Sequence, residues 1–256
     1  MGRARVRELA FVVAASLTAA ACSTDEAPGP LEAGPQGRIR FVNLINDPAR
    51  NPVNAVLEGL PFGVGLAYTQ STPATLPAPS TANYAAVLTG DRTIVLQKTA
   101  DPTVTVATLA VTIATGTDYT VFATGGAGGG AVTAFTTTDA NPAITNGQVR
   151  IRVVNMSPTA GAVDVFITAP NADLATATPA ATGLANRATF AGALLAPGNY
   201  QVRTVPAGTA PAARAAAVNS SFTTPAAIAA GGGRTIIIAD AAAGGAPLRS
   251  FAVPDQ

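Results

Sequence analysis

The chain has no histidine and no tryptophan, a single cysteine, and charged side chains at only 11% of its 256 positions. Without histidine it lacks the commonest general base, the usual zinc ligand and every Ser-His-Asp or Cys-His arrangement. A lone cysteine cannot close an internal disulfide, so stability must come from packed cores. No G-x-S-x-G occurs, and no Gly-Lys pair is present to begin a P-loop. With tryptophan absent, Tyr68, Tyr84, Tyr119 and Tyr200 are the polar aromatic faces on which a sugar ring could stack. The 15 basic and 14 acidic residues leave no positive excess to displace counterions from nucleic acid.

What is present points to a folded, turn-rich, exported chain. Hydrophobic residues make up 48%, and 25 glycines with 20 prolines supply turns without reaching low-complexity levels. Arg3, Arg5 and Arg7 precede an apolar segment, Leu9 to Ala20, and Ala19-Ala20-Ala21 lead into Cys22. That order predicts an export signal over residues 1–21, too short for the roughly 20 apolar residues a membrane-spanning helix needs. Small residues directly before a cysteine resemble the lipobox of bacterial lipoproteins, although Ala19 stands where that motif usually has Leu. The resemblance implies that Cys22 is lipidated and becomes the mature N-terminus, a role suited to a thiolate nucleophile. Ser23, in place of an aspartate after the cysteine, favours the outer membrane or cell surface. Acyl chains contribute about 0.8 kcal/mol per buried methylene, so two or three anchor a domain durably.

Residues 22–36 carry Asp25, Glu26 and Glu32 among Pro28, Gly29, Pro30, Gly34 and Pro35, and read as a disordered lipidated tether. Without residues 1–21 the chain keeps 12 basic and 13 acidic groups.

The remainder is written twice. Gly37-Arg38-Ile39-Arg40-Phe41-Val42-Asn43 is echoed by Val149-Arg150-Ile151-Arg152-Val153-Val154-Asn155, and Val53-Asn54-Ala55-Val56 by Val163-Asp164-Val165-Phe166. Leu88 to Ile94 matches Ala196 to Val202, Tyr119 to Phe122 matches Arg234 to Ile237, and Val132 to Phe135 matches Leu248 to Phe251. Five echoes in one order predict a tandem duplication: residues 37–140, a linker at 141–146, and residues 147–256. Alternating apolar and polar residues, broken by turns such as Thr89-Gly90-Asp91 and Ala196-Pro197-Gly198-Asn199, predict about seven strands per unit. The expected class is all-β, two tandem antiparallel β-sandwiches. Ala210 to Ser221 is left between a one-turn helix and a loop.

Arg150-Ile151-Arg152-Val153-Val154-Asn155-Met156-Ser157-Pro158 and Ala162-Val163-Asp164-Val165 resemble the repeats of the domain of unknown function 4397 family. The resemblance implies an immunoglobulin-like sandwich and an exported location, and lends no activity. The first unit departs from the pattern: Leu44-Ile45-Asn46-Asp47-Pro48 replaces the Ser-Pro turn, and Asn54 stands opposite Asp164.

Few residues remain as chemical candidates. Arg38, Arg40, Arg150 and Arg152 alternate, so each pair shares a strand face that either binds an anion or stays solvated and blunts an edge. Asp118, Asp139, Asp164 and Asp240 sit at strand ends or turns, as calcium ligands or as ordinary turn caps. The run Gly125 to Gly130 reads as a hairpin loop, since the strand-like Val132 to Thr138 follows it where a phosphate cradle needs a helix.

The expected function is a non-enzymatic envelope lipoprotein, without cofactor or metal, held to the membrane through Cys22 and presenting two modules to an envelope protein or glycan. Two alternatives stay open. A carboxylate-based glycosidase or metal-dependent hydrolase needs two carboxyl groups roughly 5–10 Å apart in a cleft. A periplasmic ligand carrier needs a sizeable apolar pocket between the units.

Overall fold

A computed structural model describes residues 34–73 and 83–255. The export signal, Cys22 and most of the tether lie outside the described residues. Among the described residues, nine strands build the first pair of sheets: β1 (Gln36–Ile45), β2 (Val53–Leu57), β3 (Leu60–Leu66), β4 (Ser71–Thr72), β5 (Ala85–Leu88), β6 (Gly90–Lys98), β7 (Asp101–Ile113), β8 (Asp118–Gly125) and β9 (Val132–Asp139). Eight more build the second pair: β10 (Val149–Asn155), β11 (Val163–Thr168), β12 (Ala181–Leu184), β13 (Ala188–Leu195), β14 (Gln201–Pro206), β15 (Ser220–Thr223), β16 (Gly233–Ala239) and β17 (Arg249–Pro254). Helix among these residues is confined to single 3-10 turns, one of them at Pro211–Ala213 inside the Ala-rich stretch.

In the first unit one sheet runs β4-β1-β8-β9, with β5 also on β1, and faces a sheet ordered β3-β2-β6-β7. The second unit repeats this as β13-β10-β16-β17 and β12-β11-β14-β15. Pairing is antiparallel except between β1 and β8 and between β10 and β16, which run parallel. The all-β sandwich class is therefore the observed one, with one parallel pair in each unit.

The strand number exceeds the expected seven because edge strands are short and one is interrupted. Twelve residues separate Thr72 from Ala85, where the second unit has two between Phe190 and Ala193. The five sequence echoes occupy equivalent register positions: Ile39 lies opposite Tyr119 and Ile151 opposite Arg234, while Phe122 pairs Phe135 and Ile237 pairs Phe251.

Period-two side-chain alternation explains the two inner cores. Ile39, Phe41 and Ile45 of β1 pack on Val53, Ile94 and Leu96 of the facing sheet, and Ile151 and Val153 of β10 on Val163, Val165 and Val202. At the end of each leading strand an asparagine is buried among backbone groups. Asn43 donates to Leu66 O at 2.9 Å and accepts from Ile45 N at 3.1 Å; Asn155 donates to Leu184 O at 3.0 Å and accepts from Ser157 N at 3.1 Å. The Asn that closes each R-x-R-x-x-N motif thus ties the leading strand to the end of an edge strand in the facing sheet, β3 in the first unit and β12 in the second.

The opposite faces of β1 and β10 are covered as well. Val42, Leu44 and Phe122 of the first unit pack against Val154, Met156, Ile237 and Val253 of the second, forming an apolar seam between the sandwiches. A smaller cluster, Phe166, Leu174 and Val205, lies on the outer face of β11 and β14, where Ala217 and Val218 of the Ala-rich stretch cover it.

Candidate functional site

The paired arginines lie on the same strand faces as the seam. Arg38, Arg40, Val42 and Leu44 follow one another on β1, and Arg150, Arg152, Val154 and Met156 on β10, so the seam is polar at one end and apolar at the other. Arg40 and Arg152 are each 1% exposed. The face read from the sequence as solvated or anion-binding meets the other sandwich at Arg40 and Arg152, whose partners are internal carboxylates, while Arg38 stays more than half exposed.

The arrangement is reciprocal. Arg40 of the first unit reaches Asp255 of the second at 2.9 Å, and Arg152 of the second reaches Asp139 of the first at 3.3 Å. Shorter-range support repeats in the same way. Arg40 Nε donates to Thr120 Oγ1 at 2.7 Å, and Thr120 in turn donates to Asp139; Arg152 donates to Thr235 at 3.3 Å, and Thr235 donates to Asp255 at 2.8 Å. Carbonyls complete the forks, Pro254 O for Arg40 at 2.8 Å and Ala140 O for Arg152 at 2.7 Å. Two buried cations and two buried carboxylates balance, which is the condition for keeping charge out of water.

One asymmetry marks the cluster. Tyr84 lays its ring 4.7 Å from the Arg40 guanidinium and donates to Asp139 Oδ2 at 2.8 Å. Burial, the largest cause, pushes its hydroxyl above the ordinary tyrosine range. The equivalent place in the second unit holds Gly192 at φ +120°, where a Cβ would sit 2.9 Å from Arg150 Cγ.

The outer arginines differ from the inner ones. Arg38, its side chain 56% exposed, makes a two-pronged pair with Asp118, 2.7 Å on each prong, and that hydrogen bonding raises its pKa. Arg150 donates to Ala140 O and Pro142 O; burial and the neighbouring Arg152 lower its pKa.

The turn aspartates serve the backbone. Asp164 accepts from Gly183 N at 2.9 Å and Gly208 N at 3.0 Å, and Asn54 keeps the first of these, accepting from Gly65 N at 2.9 Å. The Asn-for-Asp difference between the units therefore preserves a turn cap. Asp240 accepts from Ser157, Thr159 and Gly245. Among the described residues no group of three or more acidic or cysteine side chains is placed to hold a metal ion. Gly125 to Gly130 does form the hairpin between β8 and β9, with a 3-10 turn at Ala127–Gly129.

Several concavities open among the described residues, a wide one of about 480 Å³ beside Arg50, Lys98 and the hairpin at Gly129 among them, and two others bear on ligand binding. A cleft of about 270 Å³ opens at the edge of the first sandwich, between Leu57, Leu60 and Phe62 on one side and Ala85, Val87 and Leu88 on the other. A narrower one of about 170 Å³ lies where the seam ends, lined by Leu44, Asn46 and Tyr68 of the first unit and Met156, Asn186 and Arg187 of the second. Tyr68 bridges the units there, donating to Asp240 O at 2.6 Å. Burial, chiefly, lifts its hydroxyl to about 12. Sequence reasoning missed both the seam and this cleft. A signal was present: Phe41-Val42-Asn43-Leu44-Ile45 is apolar on both faces, as a strand covered on both sides must be.

No curated protein matches the chain. Among solved structures, a family 41 carbohydrate-binding module from streptococcal virulence factors, described for alpha-glucan recognition, aligns at 12% identity over 79% of this chain and 93% of its own, with a TM-score of 0.25. A leucine-rich repeat protein from Bacteroides thetaiotaomicron aligns at 14% identity over 77% of this chain and 25% of its own, with a TM-score of 0.16. Superpositions this loose carry no functional argument. The family match is of another kind: the domain of unknown function DUF4397 is matched over residues 37–166, all of the first sandwich and the opening strands β10 and most of β11 of the second. With its leading R-x-R-x-x-N strand, sandwich sheets and family match in agreement, the chain belongs to the DUF4397 family.

Proposed function

We propose that this chain is a non-catalytic envelope lipoprotein, two sandwiches locked into one body that holds a binding surface away from the membrane. The observation that carries the reading is polarity of layout. Both units take up and release the chain at one pole, since Arg38, Asp118 and Asp139 lie side by side, as do Arg150 and Gly233, with Asp255 bonded to Gly233. The small seam cleft and the hairpin at Ala127–Gly129 lie at the other pole, beyond the C-terminal ends of β1 and β8. A ten-residue strand rising about 3.3 Å per residue separates the poles by roughly 30 Å. With attachment at Cys22, the cleft-bearing pole faces outward.

The Arg–Asp cluster supports a structural reading over a hydrolytic one. Asp139 and Asp255 are brought together, but both are buried and paired with Arg40 and Arg152.

Anchoring is tested by comparing the native chain with Cys22→Ser in detergent phase separation. The native chain is expected in the detergent phase and the variant in the aqueous phase. Equal partitioning of the two overturns the anchor.

A further inference from the structure

The seam cleft is built from equivalent positions of the two units, filled with different chemistry. Leu44 and Met156 form its apolar floor, each one residue past the motif asparagine. Thr69 N donates to Asn43 O at 2.8 Å and Arg187 N to Asn155 O at 2.6 Å, which makes Thr69 and Arg187 counterparts and Tyr68 and Asn186 likewise. Both Thr69 and Arg187 hold positive φ, 73° and 62°, a conformation that costs a residue with a Cβ on the order of 1 kcal/mol or more and clusters at functional sites.

Arg187 is exposed, and its guanidinium lies 5.6 Å from the Phe135 ring across the seam. Among the described residues it has no hydrogen-bond acceptor or carboxylate partner, in contrast to Arg38, Arg40 and Arg152. Around it the cleft offers the Asn186 amide, Asn46, whose amide nitrogen is engaged by Ala241 O at 2.9 Å, and the Thr124 hydroxyl. Asp240 also lines the space, but its carboxylate oxygens are taken by Ser157, Thr159 and Gly245 of its own unit. A guanidinium fork suits a planar carboxylate, and short amide and hydroxyl groups beside it suit ligand hydroxyls. At roughly 30 Å³ per water, 170 Å³ holds about five or six waters, room for one small molecule or the end residue of a longer chain.

We propose that the seam cleft binds a small hydroxylated carboxylate, of the sugar-acid class, with Arg187 gripping the carboxylate. This deepens the binding-module reading and rests on it.

The test uses the full chain carrying Cys22→Ser, titrated with D-glucuronate, D-glucose and inorganic phosphate by calorimetry and ligand-observed NMR. Glucuronate is expected to bind saturably, and glucose, which lacks the carboxylate, at least about tenfold more weakly, the factor for losing one charge-assisted hydrogen bond. Phosphate keeps the charge but lacks the hydroxyls that meet the amides beside Arg187, so it is expected to bind more weakly than glucuronate as well. Arg187→Gly removes the side chain and relieves the positive φ, so it is expected to fold with an unchanged or raised Tm while weakening glucuronate by about tenfold or more. Arg187→Asn, which also tolerates that φ, is expected to behave the same way. The absence of a saturable glucuronate signal overturns the site. So does phosphate binding as tightly as glucuronate, or either variant binding glucuronate as the parent does. Loss of the site with Cys22-dependent partitioning intact would leave the anchored-display reading standing.

Discussion

Replacing Arg40 by methionine is the sharpest probe of the seam. The guanidinium lies 2.9 Å from Asp255 and 3.4 Å from Asp139, and it also serves Thr120, Thr235 and Pro254 O. Without it, two buried carboxylates share Arg152 alone, at 3.3 and 3.8 Å, and the seam holds an uncompensated negative charge. Removing one partner of a buried pair costs about 3–5 kcal/mol, against about 0–1 kcal/mol for a solvated pair. Arg38→Met supplies the internal control, because its bond to Asp118 is well formed but more than half exposed. Urea unfolding followed by circular dichroism and tyrosine fluorescence should show Arg40→Met losing several kcal/mol and Arg38→Met about 1 kcal/mol or less. Replacing the four charges together, Arg40→Met, Arg152→Met, Asp139→Leu and Asp255→Leu, should recover most of the loss, since apolar substitutes for a buried ion cluster are often neutral or better. An Arg40→Met penalty no larger than that of Arg38→Met would refute the argument that this charge cluster is buried and balanced.

Asn155→Ala strips buried Leu184 O and Ser157 N of their partner, and should lower stability by about 1–3 kcal/mol in equilibrium unfolding, whereas Asn186→Ala at the exposed rim should change it little. Tyr68 adds an alkaline signature. The unfolded chain ionises it near 10.0 and the folded chain near 12, so its contribution is complete below pH 10 and lost as pH rises through 12. Tyr68→Phe should flatten the stability decline in that window, and a tyrosinate absorbance titration of the folded chain should show fewer than four phenols ionising at the ordinary value.

Local features were readable from residues alone. Thr89-Gly90-Asp91 marks the corner where β5 gives way to β6, the Gly125 to Gly130 run is a hairpin loop, alternation marks β1, β10 and β11, and the five echoes align because register equivalence leaves the same apolar positions facing inward. The Ala-rich stretch resolves as a single 3-10 turn because Ala217 and Val218 find an apolar face to cover. What escaped was the partner of each outer face. Arg38 and Arg40 look alike two positions apart, yet one is half in water and the other is enclosed, a distinction made by Asp255 and Thr235 from the far end of the chain. Pairing across a seam leaves no periodic trace, and only Val42, Leu44, Val154 and Met156, apolar on the arginine face, record it. Arg187 carried no local signal at all: its place over Phe135 depends on two sandwiches having docked.

The parallel pairing of β1 with β8 has a consequence for the order of assembly. Arg38 must wait 80 positions for Asp118, and Arg40 must wait 214 for the carbonyl of Pro254. Closing loops of that length comes late and slowly, after local hairpins such as β8–β9 have formed. A growing chain therefore completes its first sandwich before its second, and the clasp between them closes only with the last strand, which is also the edge strand of the second sandwich. Trimming a few residues from that strand would shorten the second sandwich's edge and leave the finished first half with nothing to latch onto.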